Sequence, residues 1–378
     1  MRNFSLTLFL ASTLLIASFS PAQTTATSDP VGFTKTSCLS NSDTFVSLPF
    51  TRPAEFVGAI SSVSGSVITV SGSPNWTTAP KQFVYAAGTQ PKHYYALIGA
   101  GGSSNPKEGH YYPITDNGAN TLTVTTTVAN NLTGITANTQ VLVIPFWTPA
   151  TVFPASDANI SFTPTTSVPT YKTEILVPNT SVSGINLPYL PAYYFDGATS
   201  KWRVVGDVAL DRGDDILLPE NYFVVRNANS APTLPLTSIG SVLTKKFTVG
   251  LVTSATQAQD NAVTMIRPVD VTLNTTGLSP ADGSFVATQT PQNIANAKRP
   301  ALMDQLLLFD NTQVAMNKTP SAVYYYISAV GKANGWKLSG DGMTDHGSDV
   351  IPAGSAIVIR KARTATAQTV FWTNAPTY

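Results

Sequence analysis

Charged residues, cysteine and histidine are all scarce in this chain. Only 11% of its 378 residues are Asp, Glu, Lys or Arg, whereas an average soluble domain has about 25%. The formal net charge is +1, with neither a basic run nor an acidic block. The composition therefore gives no reason to expect nucleic acid or an anionic lipid surface as a partner.

Cysteine occurs once, as Cys38. A single cysteine excludes an internal disulfide, so packed cores must stabilise the fold. The favoured interpretation of Cys38 is a small buried hydrophobic residue, and pairing between two chains is the alternative.

Histidine occurs three times, as His93, His110 and His346, in no spacing typical of a metal site. The chain also lacks the H-E-x-x-H motif and the G-x-S-x-G nucleophile elbow. A carbohydrate hydrolase needs two carboxylates about 5 to 10 Å apart, and the sequence alone identifies no such pair. The residues therefore favour a protein without catalytic activity, and a hydrolase is the less favoured alternative.

A long uncharged apolar run occurs only at the start of the chain. Met1 and Arg2 precede a segment without charge over residues 4–19, and Ser20, Pro21 and Ala22 follow it. This pattern predicts a signal peptide over residues 1–22 and export to a periplasm, a cell surface or the medium. An uncleaved anchor is the alternative. No later segment approaches the roughly 20 apolar residues of a membrane helix, so no membrane span is expected after cleavage.

Helical periodicity is almost absent, and strand patterns take its place. Residues 63–70 and 114–127 each read as two short strands around a turn, and 27 prolines are spread along the chain. This predicts an all-β fold that begins with a small β-barrel or sandwich domain over residues 29–150. The Pro- and Thr-rich stretch 148–170 reads as a linker after that domain.

An internal repeat with a period of about 134 residues organises the second part of the chain. Y-Y-F-D-G-A-T-S-K-W-R-V-V-G-D (193–207) matches Y-Y-Y-I-S-A-V-G-K-A-N-G-W-K-L-S-G-D (324–341), and I-L-L-P-E-N-Y-F-V-V-R (216–226) matches V-I-P-A-G-S-A-I-V-I-R (350–360). Each copy reads as several strands, the last of which ends in arginine. The repeat predicts two β-sandwich-like modules, over residues 171–260 and 261–378.

Three aspartates spaced by four occupy a glycine-containing loop in each copy. They are Asp207, Asp211 and Asp215 in the first copy, and Asp341, Asp345 and Asp349 in the second. Such a loop could hold Ca²⁺, which accepts irregular sets of oxygen ligands. Turn residues that hydrogen-bond their own backbone are the alternative that we favour, because the spacing is not that of an EF-hand.

The tryptophans of the two copies, Trp202 and Trp336, stand at matching positions among tyrosines. They could form an exposed aromatic face that binds a glycan. The favoured alternative is that these rings pack between two sheets.

Several blocks together resemble an uncharacterised family of exported β-rich bacterial proteins found mainly in Verrucomicrobia and related groups. The blocks are D-P-V-G-F (29–33), D-T-F-V-S-L-P-F-T-R-P (43–53), F-V-Y-A-A-G (83–88), V-I-P-F-W-T (143–148), R-P-V-D-V-T-L-N (267–274), D-Q-L-L-L-F-D-N (304–311) and W-T-N-A-P-T-Y (372–378). The resemblance covers nearly the whole chain after residue 22. It implies export, and it implies no activity and no site residues.

The function that these features predict is structural: an exported protein that interacts with itself or with other envelope or extracellular components. Low charge, threonine-rich strands and duplicated β modules support this hypothesis, because exposed strand edges can associate by strand addition. A carbohydrate-binding protein is the second hypothesis and a carbohydrate-active hydrolase the third.

Overall fold

Strands form nearly all of the regular structure, which confirms the all-β prediction. The structure is a computed structural model that describes residues 30–101, 105–156, 160–289, 303–328, 333–376 and 378. Its strands are β1 (Val31–Cys38), β2 (Ser42–Val46), β3 (Phe56–Ser64), β4 (Val67–Val70), β5 (Tyr94–Ile98), β6 (Tyr111–Asn117), β7 (Thr121–Val124), β8 (Gln140–Pro145), β9 (Thr173–Pro178), β10 (Tyr189–Asp196), β11 (Lys201–Val204), β12 (Phe223–Asn227), β13 (Leu234–Ser241), β14 (Phe247–Val252), β15 (Gln259–Thr264), β16 (Val271–Thr272), β17 (Gln305–Leu308), β18 (Ala322–Ile327), β19 (Gly335–Leu338), β20 (Val350–Ile351), β21 (Ala356–Lys361) and β22 (Thr369–Asn374).

Helical structure is confined to short turns in the described residues. An α-helix, α1, spans Pro149–Val152, and a 3-10 helix spans Leu273–Thr275. No helix in these ranges has the length and hydropathy needed to cross a membrane. The predicted signal peptide, residues 1–22, lies outside the described residues.

Six strands close into a barrel in the order β3-β4-β7-β6-β5-β8. In β4 and β7, the buried apolar residues Ile68, Val70, Leu122 and Val124 alternate with half-buried ones, of which all but Val67 are threonine. This period of two places one face in the barrel interior, where Ile68 and Leu122 are completely buried. Gly65, with φ +58°, forms the tight turn between β3 and β4. Of the two architectures predicted for the N-terminal domain, the barrel is confirmed.

A five-stranded antiparallel sheet follows the order β11-β10-β9-β12-β2, and a two-stranded ribbon is formed by β1 and β13. The hydrophobic core of this half lies between the sheet and the ribbon, and it contains Cys38 and Trp202. Cys38 is completely buried, and burial raises the pKa of its thiol to about 12. This confirms the interpretation of Cys38 as a buried hydrophobic residue.

The strands do not follow the domain boundaries predicted from the sequence. β1 and β2 lie within the predicted N-terminal domain 29–150, yet they pair with β13 and β12 of the following half. The barrel is therefore inserted in the chain between β2 and β9, two strands of one sheet that are separated there by β12. The predicted linker 148–170 is also part of this half, because Phe153 and Phe162 contact the Trp202 ring at centroid distances of 5.8 and 5.0 Å.

A second five-stranded sheet follows the order β15-β21-β17-β18-β19, accompanied by the ribbon β14–β22. The strands of this sheet correspond one by one to those of the first sheet. In position and in chain order, β15, β21, β17, β18 and β19 match β2, β12, β9, β10 and β11. β14 begins before residue 261, so this half begins earlier than the predicted module 261–378. The connection between β15 and β17 takes the place that the barrel holds in the first half.

The two five-stranded sheets pack against each other. Leu176 and Val224 of the first sheet and Leu307 and Val358 of the second belong to one buried cluster. β12 and β21 are buried on both faces, because one face meets the opposite sheet and the other meets its own core. Their sequences, F-V-V-R-N and A-I-V-I-R-K, accordingly carry uninterrupted apolar runs.

The barrel contacts both halves. The Tyr111 hydroxyl donates to the Glu220 carboxylate over 2.7 Å, and burial raises the pKa of that carboxyl group. On the other side, the Thr248 backbone N–H donates to the Gly109 carbonyl over 2.8 Å. These contacts fix the barrel against β14 and against the turn that precedes β12.

Candidate functional site

The two tryptophans predicted as a glycan-binding face are core residues. Trp202 is 3% exposed and Trp336 is 1% exposed. Phe285 and Tyr326 enclose the Trp336 ring at centroid distances of 4.9 and 5.6 Å. An aromatic ring binds a sugar only with an open face, so the prediction of a platform at these residues is wrong and the core alternative holds.

In the first acidic loop, each aspartate accepts hydrogen bonds from nearby donors. Oδ1 of Asp207 accepts from the Ala209 N–H, and Oδ1 of Asp211 accepts from the Gly213 N–H, both over 3.1 Å. Asp215 accepts from the Tyr193 hydroxyl over 3.0 Å and forms an ion pair with Arg212 at 2.9 Å. These contacts shape the turn that follows β11.

The second acidic loop repeats this arrangement with histidine in place of arginine. Asp349 Oδ2 accepts from the Tyr324 hydroxyl over 2.9 Å and lies 2.8 Å from His346 Nδ1. The other ring nitrogen, Nε2, lies 2.8 Å from Asp341 Oδ2. Asp345 points toward the buried Lys337, with 3.9 Å between Oδ1 and Nζ.

The structure does not assemble these six aspartates into a calcium site. Across the described ranges, no group of three or more His, Cys, Asp or Glu side chains is placed to hold a metal ion. The carboxylates instead accept hydrogen bonds from backbone N–H groups and from Tyr, Arg and His side chains. These contacts identify the aspartates as turn residues.

Protonation of His346 makes this loop sensitive to pH. Its hydrogen bond to Asp349, and then that to Asp341, raise the pKa of the imidazole above its usual value. A raised pKa in the folded state stabilises the fold below the unfolded pKa of about 6.5, and this contribution is lost as the pH rises through the folded value. We therefore expect His346→Arg to be more stable relative to the unmodified protein at pH 8 than at pH 6, by less than about 1 kcal/mol because the loop is exposed.

The measurement is the difference in melting temperature between the two proteins across that pH range. Because His93 and His110 are present in both proteins, their titration cancels in the difference. The reciprocal variant Arg212→His is the control. Its stability relative to the unmodified protein should decrease as the pH rises. A difference that does not change with pH would contradict the role of His346.

Two matching ion pairs lie at the edge strands of the sheets. Arg226 Nε and Nη2 donate to Asp43 Oδ1 and Oδ2 over 2.7 and 2.8 Å. In the second sheet, Arg360 donates to Asp260 in the same way, over 2.6 and 3.0 Å. These are the arginines at which the matching sequence blocks 216–226 and 350–360 end, and bidentate pairs of this kind are strong and directional.

Each ion pair is also bound by a loop from the opposite half. The Asn317 N–H donates to Asp43 Oδ2 over 2.7 Å, and the Asn186 N–H donates to Asp260 Oδ2 over 2.8 Å. Both asparagines have positive φ, 50° and 54°, which Asn tolerates better than most residues. The halves thus exchange loops, and each loop covers the free edge of the other half's sheet.

Sequence reasoning missed the carboxylate partners of these arginines. Asp43 and Asp260 begin the similar segments D-T-F-V-S and D-N-A-V-T, upstream of the repeat blocks recognised in the sequence. Extending the repeat upstream, across the inserted barrel, would have identified both pairs.

The ribbon β1–β13 carries an exposed apolar face. Val31 and Phe33 are each 68% exposed, and Ile239, directly opposite Phe33, is 59% exposed. Lys35 is the one charged residue in the two strands. Apart from a single bridge between Thr51 and Ser241, no further strand pairs with this ribbon in the described part of the chain.

The corresponding ribbon β14–β22 is covered. Its residues Thr248 and Phe371 contact the barrel, with Phe371 4.6 Å from the His110 ring centroid and Thr248 bonded to Gly109. The barrel therefore shields one ribbon, and the other faces solvent.

Comparison of the chain with protein-family models, with curated proteins and with solved structures finds no match.

Proposed function

We propose that this is an exported structural protein that associates with further copies of itself through the ribbon β1–β13. The observation that carries the proposal is the exposed face formed by Val31, Phe33 and Ile239. Exposed apolar side chains on an uncovered strand pair favour association, because packing them against another protein surface removes apolar area from water.

A second copy of the chain is the occupant that fits this face best. Both strands of the ribbon are eight residues long, and Lys35 is their one charged residue, so the exposed faces of two ribbons can pack against each other about a two-fold axis. The corresponding ribbon β14–β22 supports the same conclusion. The barrel packs against that ribbon, so a ribbon of this type is buried where another part of the protein contacts it.

The test is the oligomeric state of the protein without residues 1–22, measured by sedimentation velocity over a range of concentrations. We expect reversible association for the unmodified protein and a monomer for the double variant Phe33→Thr, Ile239→Thr. Threonine keeps strand propensity and removes most of the apolar area.

Val350→Thr is the matched control, because Val350 is a 52% exposed valine on a strand of the other half. It should associate like the unmodified protein. An unmodified protein that is monomeric at its highest soluble concentration would refute the proposal, as would a double variant that associates unchanged.

Export, a bacterial cell-envelope or extracellular location and membership of the exported β-rich family belong to this proposal. Their support is the apolar segment over residues 4–19, the low charge and the sequence blocks that resemble that family. Internal duplication belongs here as well, and the common strand succession of the two sheets supports it.

A further inference from the structure

A cleft of about 380 Å³ lies where the two five-stranded sheets meet. Both loops that cross between the halves line it, with Asn186 from one and Asn317 from the other. Its volume falls within the range of small-molecule sites, which occur preferentially at interfaces between domains. Neither the ribbon nor the acidic loops contribute to it.

Aromatic side chains form much of the cleft wall. Phe45 and Phe309 stack in parallel, with centroids 3.9 Å apart and planes 7° from each other. Tyr222 lies 5.5 Å from Phe45, and the half-buried Tyr189 completes the wall. Phe309 and Tyr189 are partly exposed, so they offer ring surface to a ligand, unlike Trp202 and Trp336.

Polar groups of both hydrogen-bonding types surround this wall. The Asp260 carboxylate is an acceptor, and the Arg360 guanidinium and the Lys318 ammonium are donors. The Thr319 hydroxyl can serve as either. An apolar wall with mixed donors and acceptors fits a polyhydroxylated ring better than it fits a hydrocarbon.

The charged side chains of the cleft determine whether a neutral or an acidic ligand of this kind is favoured. Arg360 is already paired with Asp260, because its Nε and Nη2 groups donate to the two carboxylate oxygens. Lys318 donates to the Asp310 carbonyl over 3.0 Å, and no carboxylate of the described ranges lies within ion-pair distance of its ammonium group. Burial lowers the pKa of that ammonium group, and the nearby Asp310 and Asp43 carboxylates oppose this shift. Of the charged side chains that line the cleft, Asp260 and Arg360 pair with each other, and within the described part of the chain Lys318 has no carboxylate in ion-pair contact.

We propose that this cleft binds an acidic saccharide whose ring packs on Phe309 and Tyr189 and whose carboxylate pairs with Lys318. The ligand class is a uronic acid unit or a short uronate oligomer. This inference is independent of association through the ribbon, because the two sites share no residue.

The experiment is calorimetric titration of the full-length mature protein with trimers of galacturonate, glucuronate and mannuronate, and with neutral galactotriose. We expect at least one uronate trimer to bind, about tenfold or more tighter than galactotriose, which corresponds to one charge-assisted contact. Lys318→Gln should reduce the affinity for that uronate to the level of the neutral sugar. Phe309→Leu should weaken both sugars.

Lys201→Gln is the control for loss of a positive charge, since Lys201 is exposed on β11 and does not line the cleft. It should bind like the unmodified protein. The proposal is overturned if no uronate trimer binds, if galactotriose binds as tightly as the uronates, or if Lys318→Gln and Lys201→Gln behave alike. Circular dichroism of each variant establishes that a loss of binding is not a loss of folding.

Discussion

Trp336→Ala is expected to lower the free energy of unfolding by roughly 3 to 5 kcal/mol, the range for removal of a large aromatic side chain from a packed core. The ring is 1% exposed and is enclosed by Phe285 and Tyr326, so its loss leaves a cavity that the surrounding sheet can only partly fill. Trp202→Ala should have a similar effect for the same reason. Urea denaturation followed by circular dichroism measures both.

Two variants make this result specific. Trp336→Phe keeps most of the packing and should cost clearly less than Trp336→Ala. Val314→Ala truncates an aliphatic side chain that is 62% exposed and should change stability by less than about 0.5 kcal/mol. Near-wild-type stability of Trp336→Ala would restore the hypothesis of a solvent-facing tryptophan.

Asp43→Ala is the second large effect, with an expected destabilisation of roughly 3 kcal/mol. The Asp43 side chain is 2% exposed, and its removal leaves the partly buried Arg226 guanidinium without its carboxylate. The same change also removes the acceptor of the Asn317 N–H, which joins the loop of one half to the sheet of the other. Asp260→Ala should behave alike, because Arg360 and Asn186 bind Asp260 in the same way.

The contribution of the unpaired charge can be separated from that of lost packing. Asp43→Ala combined with Arg226→Met removes both charges and should be less destabilised than Asp43→Ala alone. Asp116→Ala is the matched control, because Asp116 pairs with Lys81 at 2.8 Å but is 52% exposed, and its loss should cost less than about 1 kcal/mol. Equal costs for Asp43→Ala and Asp116→Ala would mean that the buried pair adds nothing to stability.

Local patterns in the sequence predicted those parts of the fold that depend on near neighbours. Two short strands around a turn were predicted at residues 63–70 and at 114–127, and the hairpins β3–β4 and β6–β7 lie there, because a tight turn pairs strands that are adjacent in sequence. The aspartate loops were likewise predicted as turns, since an Asp side chain reaches a backbone N–H two residues away.

The same local reasoning misplaced the domain boundary. β2 and β12 pair directly, with Asp43 opposite Arg226, although the whole barrel lies between them in the chain. Proximity in sequence favoured grouping β1 and β2 with the barrel strands that follow them. Pairing is decided by which edge buries the most apolar surface and satisfies the backbone groups, and sequence distance adds only a slowly growing entropy cost.

The sequence by itself determined that this chain folds into strands, that it has no internal disulfide and that aspartates shape two similar loops. Only the tertiary structure decided which aromatic residues are buried and which face a cleft, because a strand pattern identifies two faces without indicating what covers each. It buried Trp202 and Trp336 beneath their own sheets and left Tyr189 and Phe309 partly open where the two sheets meet. It also shielded one ribbon with the barrel and left Val31, Phe33 and Ile239 exposed on the other, since the described ranges contain one inserted barrel for two similar halves.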